Sequence, residues 1–463
     1  MASNVVTTVA TTRANMGADT VLDGFLKDVY LPGITNTLYF DDAFSRQIQR
    51  TSEIIEADGR RIIRAFETQY GGGEGAFSEG GDFVGSAPAK GKQGTEWLKY
   101  FNLYFKLSGP TVETVNEGRG SYVDAVTRHV EDVGKRAKLS FERQCMGEQN
   151  ARLAIWSDAT ATTTANVTEV DVEGDAFFDT MFLQPGTEVE FRAPVNGTAT
   201  LRENITSSTE DSAKIYRVAS KGTKKTGAVT RGTVIFDTTI ADTVTTLDWI
   251  CPVNSYTSGS ASACLEMNGL RNLITDSVDH SSDTKGVDES TGANYTSTWG
   301  LTVTSYDWLA SYVKYLNASP DEENLLEAMM EHETVYGGDP NMLIVSKRAL
   351  QKYFMNVKDD RRFNTMTAME WVGGYKGLGI QLGTRQLMLT AMNSVPSNFG
   401  FMINTNDFKF ASATNGYKWR TGKDNGILTG AEGSDNFFAT AVDYRQLVCF
   451  DPQKQCKIYG ITE

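Results

Sequence analysis

The sequence contains few of the residues from which catalytic and metal sites are most often built. There are three histidines, His129, His280 and His332, among 463 residues, and none has a His, Cys or carboxylate partner at metal-ligand spacing. The five cysteines are odd in number and scattered, which fits buried thiols in a reducing compartment better than a disulfide framework. No Gly-x-Ser-x-Gly elbow is present. We therefore expect no enzyme activity, no cofactor and no metal.

Signals for membranes, secretion and nucleic-acid binding are also missing. No apolar run is long enough to span a bilayer, and the first residues lack the basic start and apolar stretch of a secretory signal. The net charge of −14 argues against a general nucleic-acid binder, whose surface would be basic. It is compatible with a container whose wall does not adhere to a packed polyanion.

One long stretch, from Ser121 to Gly147, carries the period of a single helix face. Ser121 is a good N-cap, Asp124 completes a capping-box pattern, and Gly147 can close the helix in the left-handed conformation. At 1.5 Å per residue the pattern predicts a helix of roughly 40 Å. The apolar residues that recur at steps of three and four are Tyr122, Val126, Val130, Val133, Ala137, Phe141 and Cys145.

Two segments of strand composition flank a glycine-dense stretch ahead of this helix. They are Arg60 to Tyr70 and Thr95 to Ser108, with Gly71 to Gly94 between them. Together they predict one long β-hairpin with a flexible end. Aromatic residues occupy both faces of the second arm, and a two-stranded ribbon is only marginally stable alone in water.

Something must cover these aromatic side chains. We predict that a neighbouring copy of the same chain does so; the alternative is that the ribbon folds onto its own body and the aromatics are core. The candidate inter-subunit contacts are Trp97, Phe101, Tyr104, Phe77 and Phe83.

The remaining chain alternates between strand-rich and helical parts. Residues 151–263 are rich in Thr, Ser, Val and Asp, with short strand-like runs separated by turns, which predicts an all-β insert. Helices are predicted from Ser305, from Ser319-Pro320 and from Ser346. The end is predicted to be a pair of strands, Phe437 to Phe450 and Lys457 to Ile461. This arrangement indicates an α+β fold.

The order of these parts resembles the major capsid protein of tailed bacteriophages, which has the Hong Kong 97-like fold. The stretch from Phe141 to Asn150 looks like the family's helix end and the loop after it. In compact members a short link then leads to a Gly-Leu such as Gly269-Leu270. Asp339 to Ser346 resembles the family's strand that enters a helix of the axial lobe.

The resemblance implies a division of the chain into named parts. They are an N-terminal arm (1–55), an extended hairpin loop (56–109), a peripheral domain with a spine helix (110–150), an inserted β domain (151–263), a return to the peripheral domain (264–298), an axial domain (299–437) and C-terminal strands of the peripheral domain (438–463).

The resemblance also implies a function. The chain would be a capsid subunit that assembles into hexamers and pentamers around double-stranded DNA, without sequence-specific binding to it. Scaffolding, portal and decoration proteins would be its other partners, and it would be made in the host cytoplasm and located in the virion. Some members crosslink through a Lys and an Asn; Lys90 and Lys92 lie near the hairpin tip, but no motif fixes an acceptor. An encapsulin-type compartment shell and a hydrolase with an unrecognised site are the alternatives.

Overall fold

The computed structural model describes most of the chain from residue 43 onward. The described residues are 43–53, 55, 60–82, 85–108, 121–156, 162–164, 167–173, 182–183, 186–195, 198–202, 212–224, 230–237, 240, 248–257, 264–276, 297–356, 368–370, 376–382, 385–392, 394–395, 399–414, 416–420, 428–430 and 435–461. Most of the predicted N-terminal arm (residues 1–42) and Phe83 therefore lie outside the described residues.

The described chain is a strand-rich α+β structure. Its α-helices are α1 (Ala43–Gln47), α2 (Ser121–Met146), α3 (Leu270–Leu273), α4 (Glu322–Tyr336) and α5 (Lys347–Asn356). Its strands are β1 (Gln49–Thr51), β2 (Arg61–Gln69), β3 (Lys90–Trp97), β4 (Lys99–Ser108), β5 (Ala154–Trp156), β6 (Thr162–Thr164), β7 (Val167–Glu173), β8 (Glu188–Val195), β9 (Thr198–Leu201), β10 (Ser212–Lys224), β11 (Thr230–Phe236), β12 (Trp249–Pro252), β13 (Ser297–Thr298), β14 (Leu301–Thr302), β15 (Tyr312–Ala318), β16 (Met342–Ser346), β17 (Ala368–Glu370), β18 (Lys376–Leu382), β19 (Arg385–Met392), β20 (Phe399–Ile403), β21 (Phe408–Ser412), β22 (Lys418–Trp419), β23 (Leu428–Gly430), β24 (Asn436–Cys449) and β25 (Cys456–Ile461).

The predicted starts of two helices, at Ser121 and after Ser346, are confirmed. Helix α2 has nearly the predicted extent. Helix α4 begins two residues later than predicted, with Asp321 and not Ser319 as its N-cap, and ends at Gly337, which is left-handed at φ 66°. The Ser346 hydroxyl accepts a hydrogen bond from the Ala349 amide at 3.0 Å at the start of α5. The helix predicted from Ser305 is wrong: the chain makes two 3-10 turns and then β15. Parallel pairing of β15 with β25 overrides the helical pattern there.

The longest strand, β24, organises a six-stranded sheet. Strands β21, β22 and β23 pair along one edge of it, and β4 pairs along the other from Ser108 opposite Asn436 to Lys99 opposite Arg445. Beneath the sheet, Phe141 of α2 packs on Phe410 at 5.4 Å between ring centroids. Phe44 of α1 is fully buried against the same Phe410, so the end of the predicted arm belongs to this core.

The hairpin is shorter than the sequence predicts. Strand β2 pairs with β3, from Arg61 opposite Trp97 to Gln69 opposite Lys90. The chain then leaves the hairpin at Leu98, whose amide donates to the Arg60 carbonyl at 2.9 Å. The predicted return arm is thus two strands, β3 and β4. Strand β4 pairs with β24, which is longer than β2.

Strands from the later part of the chain form a seven-stranded sheet. Their order across the sheet is β15-β25-β20-β16-β19-β18-β17. The last strand, β25, pairs with β15 and β20. The predicted pairing of the two C-terminal segments is therefore wrong, since β24 and β25 lie in different sheets.

Strands β5 to β12 pair only with one another among the described residues. Because β10 pairs with both β11 and β8, the strands β10-β11-β7-β5-β12-β8 close into a ring. Closure removes the free edges that a sheet would otherwise expose. Inside the ring, Phe191 packs on Trp156 at 5.4 Å and on Phe236 at 5.6 Å.

The chain enters and leaves this ring of strands close to the C-terminal end of α2. A Cβ on Gly269 would lie 2.3 Å from the Gln144 carbonyl oxygen and 2.4 Å from that of Gly147, so only glycine permits the approach. Gly147 itself is not left-handed, contrary to the prediction. The left-handed residues after the helix are Gln149 (φ 63°) and Ala151 (φ 54°).

Candidate inter-subunit surface

The base of the β2–β3 hairpin is fixed in a buried aromatic cluster. Phe66 of β2 packs edge-on against Trp299 at 5.6 Å and lies 4.7 Å from the Trp308 ring. Ile62 and Leu98 belong to the same cluster and are buried. The hairpin therefore leaves the body at a defined place.

A tight turn holds this base. Trp299 (φ 56°) and Gly300 (φ 65°) join β13 to β14, an uncommon backbone for a residue as large as tryptophan. The Trp299 carbonyl accepts from the Thr95 amide at 2.9 Å, and its indole Nε1 donates to the Cys449 carbonyl at 2.8 Å. A Cβ on Gly94 would lie 2.8 Å from the Trp299 Cβ, so this glycine permits the contact.

The carboxylate of Glu96 connects the turn to two other segments. It accepts from the Trp299 amide at 2.9 Å, and from the side-chain amides of Asn268 and Gln446 at 3.4 Å each. Burial raises the pKa of Glu96, and these hydrogen bonds and the Lys99 ammonium only partly offset it. Lys99 itself donates to the Cys264 carbonyl at 2.9 Å.

The outer end of the hairpin is exposed to solvent, in contrast to its buried base. Its described residues from 70 to 82 are all exposed, including Tyr70 at 85% and Phe77 at 59% of their surface. The glycine-rich end is crossed by one pair of backbone hydrogen bonds between Gly72 and Ala87. Both aromatic side chains thus expose more than half of their surface in the single chain.

The structure separates the predicted contact residues into two groups. Trp97 and Tyr104 are more than half exposed, at 57% and 53%, as is Phe77. Phe101 instead packs against the chain's own core, with the Arg445 guanidinium 4.4 Å above its ring. Phe101 is thus partly buried within its own subunit, and its role as an inter-subunit contact stays a prediction. Phe83 is outside the described residues.

The alternation of buried side chains reverses at Leu98. Up to Leu98 the buried residues have even numbers, Gly94 and Leu98, whereas in β4 the buried residue, Phe105, has an odd number. Trp97 and Phe101 therefore face different sides, although the sequence places them on one. Tyr100 is 59% exposed and lies on the same face of β4 as Tyr104. It was not among the contact candidates chosen from the sequence.

The outward face of β4, β24 and β22 is rich in aromatic and basic side chains. Tyr100 packs edge-on against Tyr444 at 5.1 Å, and Tyr104 lies 6.0 Å from Phe438. The Arg420 guanidinium donates to the Tyr444 hydroxyl at 3.3 Å. Other exposed side chains on this face are Lys106 and Lys418.

The inward face of the same strands is a closed core with a buried ion pair. Arg445 donates to the Asp443 carboxylate at 2.9 Å, and its guanidinium also lies 4.4 Å over the Phe141 ring. Asp443 accepts from the hydroxyls of Ser412 and Thr414. These charges hold β24 against α2 and do not form an accessible site.

No group of residues suited to a metal ion occurs in the described part of the chain. His332 is fully buried and stacks on Tyr312 at 5.7 Å, and its burial lowers its pKa to about 4. None of the described helices has the length and apolar character needed to cross a membrane.

No protein-family model matches the chain, and no curated protein matches it. Solved phage capsid structures align with the chain over about nine tenths of its length. The capsid asymmetric unit of cyanophage A-1(L) is 10% identical, with a TM-score of 0.40 over 90% of this chain and 91% of that one. The capsid of Ralstonia phage GP4 is 11% identical, with a TM-score of 0.34 over 90% and 88%.

An encapsulin is also similar to part of the chain. The holo-SrpI encapsulin complex of Synechococcus elongatus PCC 7942 is 11% identical, with a TM-score of 0.25. That match covers 32% of this chain and 52% of the encapsulin. All three TM-scores are below 0.5.

Proposed function

We propose that this chain is the structural subunit of an icosahedral tailed-phage capsid. The observation that supports this best is the hairpin, whose base is buried and hydrogen-bonded while its outer end exposes Tyr70 and Phe77. A surface built in this way suits an obligate interface with another copy, of roughly 2,000 Å² or more. The role is structural and needs no catalytic group.

The finer assignments belong to the same proposal. Subunits form hexamers and pentamers through the hairpin and enclose double-stranded DNA without reading its sequence. Helix α2 serves as the spine of a peripheral domain, and the seven-stranded sheet serves as an axial domain. Scaffolding, portal and decoration proteins are the further partners, and the virion is the location after assembly in the host cytoplasm.

Electron microscopy of the purified, assembled protein tests this proposal. We expect closed shells with hexameric and pentameric units, which contain DNA when isolated from infected cells. Shells that carry protein cargo and no DNA would support the encapsulin alternative. Sedimentation that gives only a compact monomer at high concentration, with the fold intact, would refute assembly altogether.

We further propose that residues 151–263 form an inserted domain on the outside of the shell. The closed ring of strands supports this, as does the contact of Gly269 with the end of α2. Phe399 and Tyr459 of the other sheet pack against the ring's core, so excision with a short linker should lower stability but leave a folded chain. Complete loss of folding would contradict an insertion.

A further inference from the structure

We propose that Glu96 forms a proton-dependent hinge at the base of the β2–β3 hairpin. With a proton on its carboxyl group, the base stays packed on the turn at Trp299. Loss of that proton shifts the base toward an open state in which water reaches the carboxylate. The inference concerns a single chain, so it does not depend on assembly into shells.

The Glu96 carboxyl group joins the hairpin to three other parts of the chain. Its Oε1 accepts from the Trp299 amide at 2.9 Å. Its Oε2 lies 3.4 Å from the side-chain nitrogens of Asn268, in the segment that follows the ring of strands, and of Gln446 on β24. Movement of the hairpin base away from the body therefore breaks contacts to this one group.

The groups that donate to this carboxyl group are neutral amides. N–H···O hydrogen bonds are usually about 2.7–3.2 Å long, so the contact with Trp299 is the strong one of the three. The β2 residue opposite Glu96 is Ile62, which is apolar and buried. An ionised carboxylate that is buried without a paired cation is costly, and the closed base imposes that cost on Glu96.

The charged and titratable groups on the neighbouring elements do not remove this cost. The Lys99 ammonium donates to the Cys264 carbonyl at 2.9 Å, and burial lowers the pKa of Lys99. Burial raises the pKa of the Cys264 thiol to about 12, and the Glu266 carboxylate is bound by Arg143. Burial accordingly raises the pKa of Glu96, and Lys99 and the hydrogen bonds offset only part of the rise.

The backbone around Glu96 allows the base to separate from the turn as one unit. The Thr95 amide donates to the Trp299 carbonyl at 2.9 Å, so two successive hairpin residues bind the same residue of the body. The Leu98 amide instead donates to the Arg60 carbonyl, which keeps the two strands of the hairpin together. Opening thus breaks two hydrogen bonds to Trp299 and leaves the hairpin itself paired.

Solvent lies close to the closed carboxyl group. The next residue, Trp97, is 57% exposed, so the base is at the surface of the chain. A small displacement of the base is enough to hydrate Glu96, and global unfolding is not needed.

The direction of the pH dependence follows from the two states. The pKa of Glu96 is raised in the closed state and returns to about 4.3 in the open state. The open fraction is therefore smallest at acid pH, increases as the pH rises from about 4 to the closed-state pKa, and is constant above it. Within this window, one pH unit changes the ratio of open to closed molecules by up to about tenfold.

Hydrogen–deuterium exchange of the full chain tests the hinge, measured by mass spectrometry from pH 4 to 8 and corrected for intrinsic exchange rates. Peptides that cover residues 93–99 and 297–302 report on the base, and a peptide that covers β20 reports on the rest of the fold. In the wild type we expect the protection of the base, relative to β20, to fall at least tenfold as the pH rises. Glu96→Gln has no proton to lose in this range and should keep it within about twofold.

Two further variants sharpen the test. Lys99→Met removes a cation that favours the ionised carboxylate, so the fall in protection should occur at higher pH. Glu67→Gln, at an exposed position of β2, should give the wild-type profile. If Glu96→Gln does not fold, the displacement in Lys99→Met replaces it, together with infrared spectra in which the C=O band of the protonated Glu96 carboxyl group disappears over the same pH range.

Three outcomes would overturn the proposal. The same pH dependence in the wild type and in Glu96→Gln would mean that another group controls the base. Protection that rises with pH in the wild type would mean that the ionised carboxylate keeps the base closed. Parallel loss of protection in the base and in β20 would show global unfolding and no hinge. None of these outcomes bears on the capsid function, which the formation of shells tests separately.

Discussion

The two ends of the β2–β3 hairpin use similar residues in opposite ways. At the base, Phe66 and Trp299 are buried against each other, and the Glu96 carboxylate accepts three hydrogen bonds. At the outer end, Phe77 and Glu79 are exposed to solvent. Aromatic and acidic side chains are thus packed and hydrogen-bonded within the monomer at one end and exposed to solvent at the other.

The contrast implies that aromatic content alone does not identify an interface. A buried ring contributes to the free energy of unfolding of the monomer, whereas an exposed ring contributes only when a partner covers it. Substitutions at the two ends should therefore affect different measurements.

The largest effect is expected at the base, for Trp299→Ala. The change removes ring contacts with Phe66 and Phe450 and the hydrogen bond from the indole to the Cys449 carbonyl. Large-to-small changes of buried aromatics cost about 3–5 kcal/mol. We expect the free energy of unfolding of the monomer to fall by that amount in urea titrations.

A matched change at the outer end is Tyr70→Ala. Because this ring is 85% exposed, monomer stability should change by less than about 0.5 kcal/mol. Equal destabilisation by the two substitutions would mean that the base is not the fixed end of the hairpin.

An intermediate effect is expected within β4, where Phe101→Ala and Tyr104→Ala should diverge. Phe101 is partly buried on the core under Arg445, so its loss should cost the monomer about 2 kcal/mol. Tyr104 is mostly exposed, so its loss should leave monomer melting unchanged and lower the yield of assembled particles. Melting of the monomer and particle yield would be measured for both variants.

The reverse pattern would contradict the assignment of the two faces of β4. If Phe101→Ala left the monomer intact and abolished assembly, then Phe101 would be the inter-subunit anchor that the sequence alone suggested. If Tyr104→Ala destabilised the monomer, its face would be covered by the chain itself.

Local signals in the sequence predicted the helices with strong caps. Helix α2 follows the apolar period from Ser121, and α4 ends at the glycine pair that begins with Gly337. These features depend on neighbours in sequence, so periodicity and capping chemistry suffice to find them.

Partners distant in sequence could not be predicted in this way. The segment from Thr95 to Ser108 looks like one alternating strand, but it divides at Leu98 because β24, more than 300 residues later, pairs with its second half. The same long-range pairing turns Phe101 inward. Likewise β15 becomes a strand only because β25 lies beside it.

The candidate surface could be predicted only in part, because some of its residues are brought together by strands that are distant in sequence. Trp97 and Tyr104, which were selected from an alternating aromatic pattern, are more than half exposed, as is Phe77 of the glycine-rich stretch; their role as inter-subunit contacts stays a prediction. The basic side chains of β22 could not be placed beside them, since Lys418 reaches the face only through its pairing with Val442 of β24.

The smallest effect is expected for Glu96→Gln, and it should depend on pH. Burial raises the pKa of Glu96 in the folded chain, so above the ordinary glutamate pKa of about 4.3 the folded state holds this proton more tightly than the unfolded state. The contribution of Glu96 to stability is therefore present at acid pH and is lost as the pH rises through the folded-state pKa. Glutamine keeps an acceptor for the Trp299 amide without the buried charge.

Relative to wild type, the Glu96→Gln variant should gain stability as the pH rises from 4 toward 7. The gain is limited because the wild-type carboxylate keeps its hydrogen bond from Trp299, although the bonds from Asn268 and Gln446 are long at 3.4 Å. Urea midpoints of both proteins across this pH range measure the difference, and Glu67→Gln on exposed β2 should show none. A variant that loses stability progressively with rising pH would mean that the ionised carboxylate holds the hairpin base, because its hydrogen bonds would then outweigh the cost of burial.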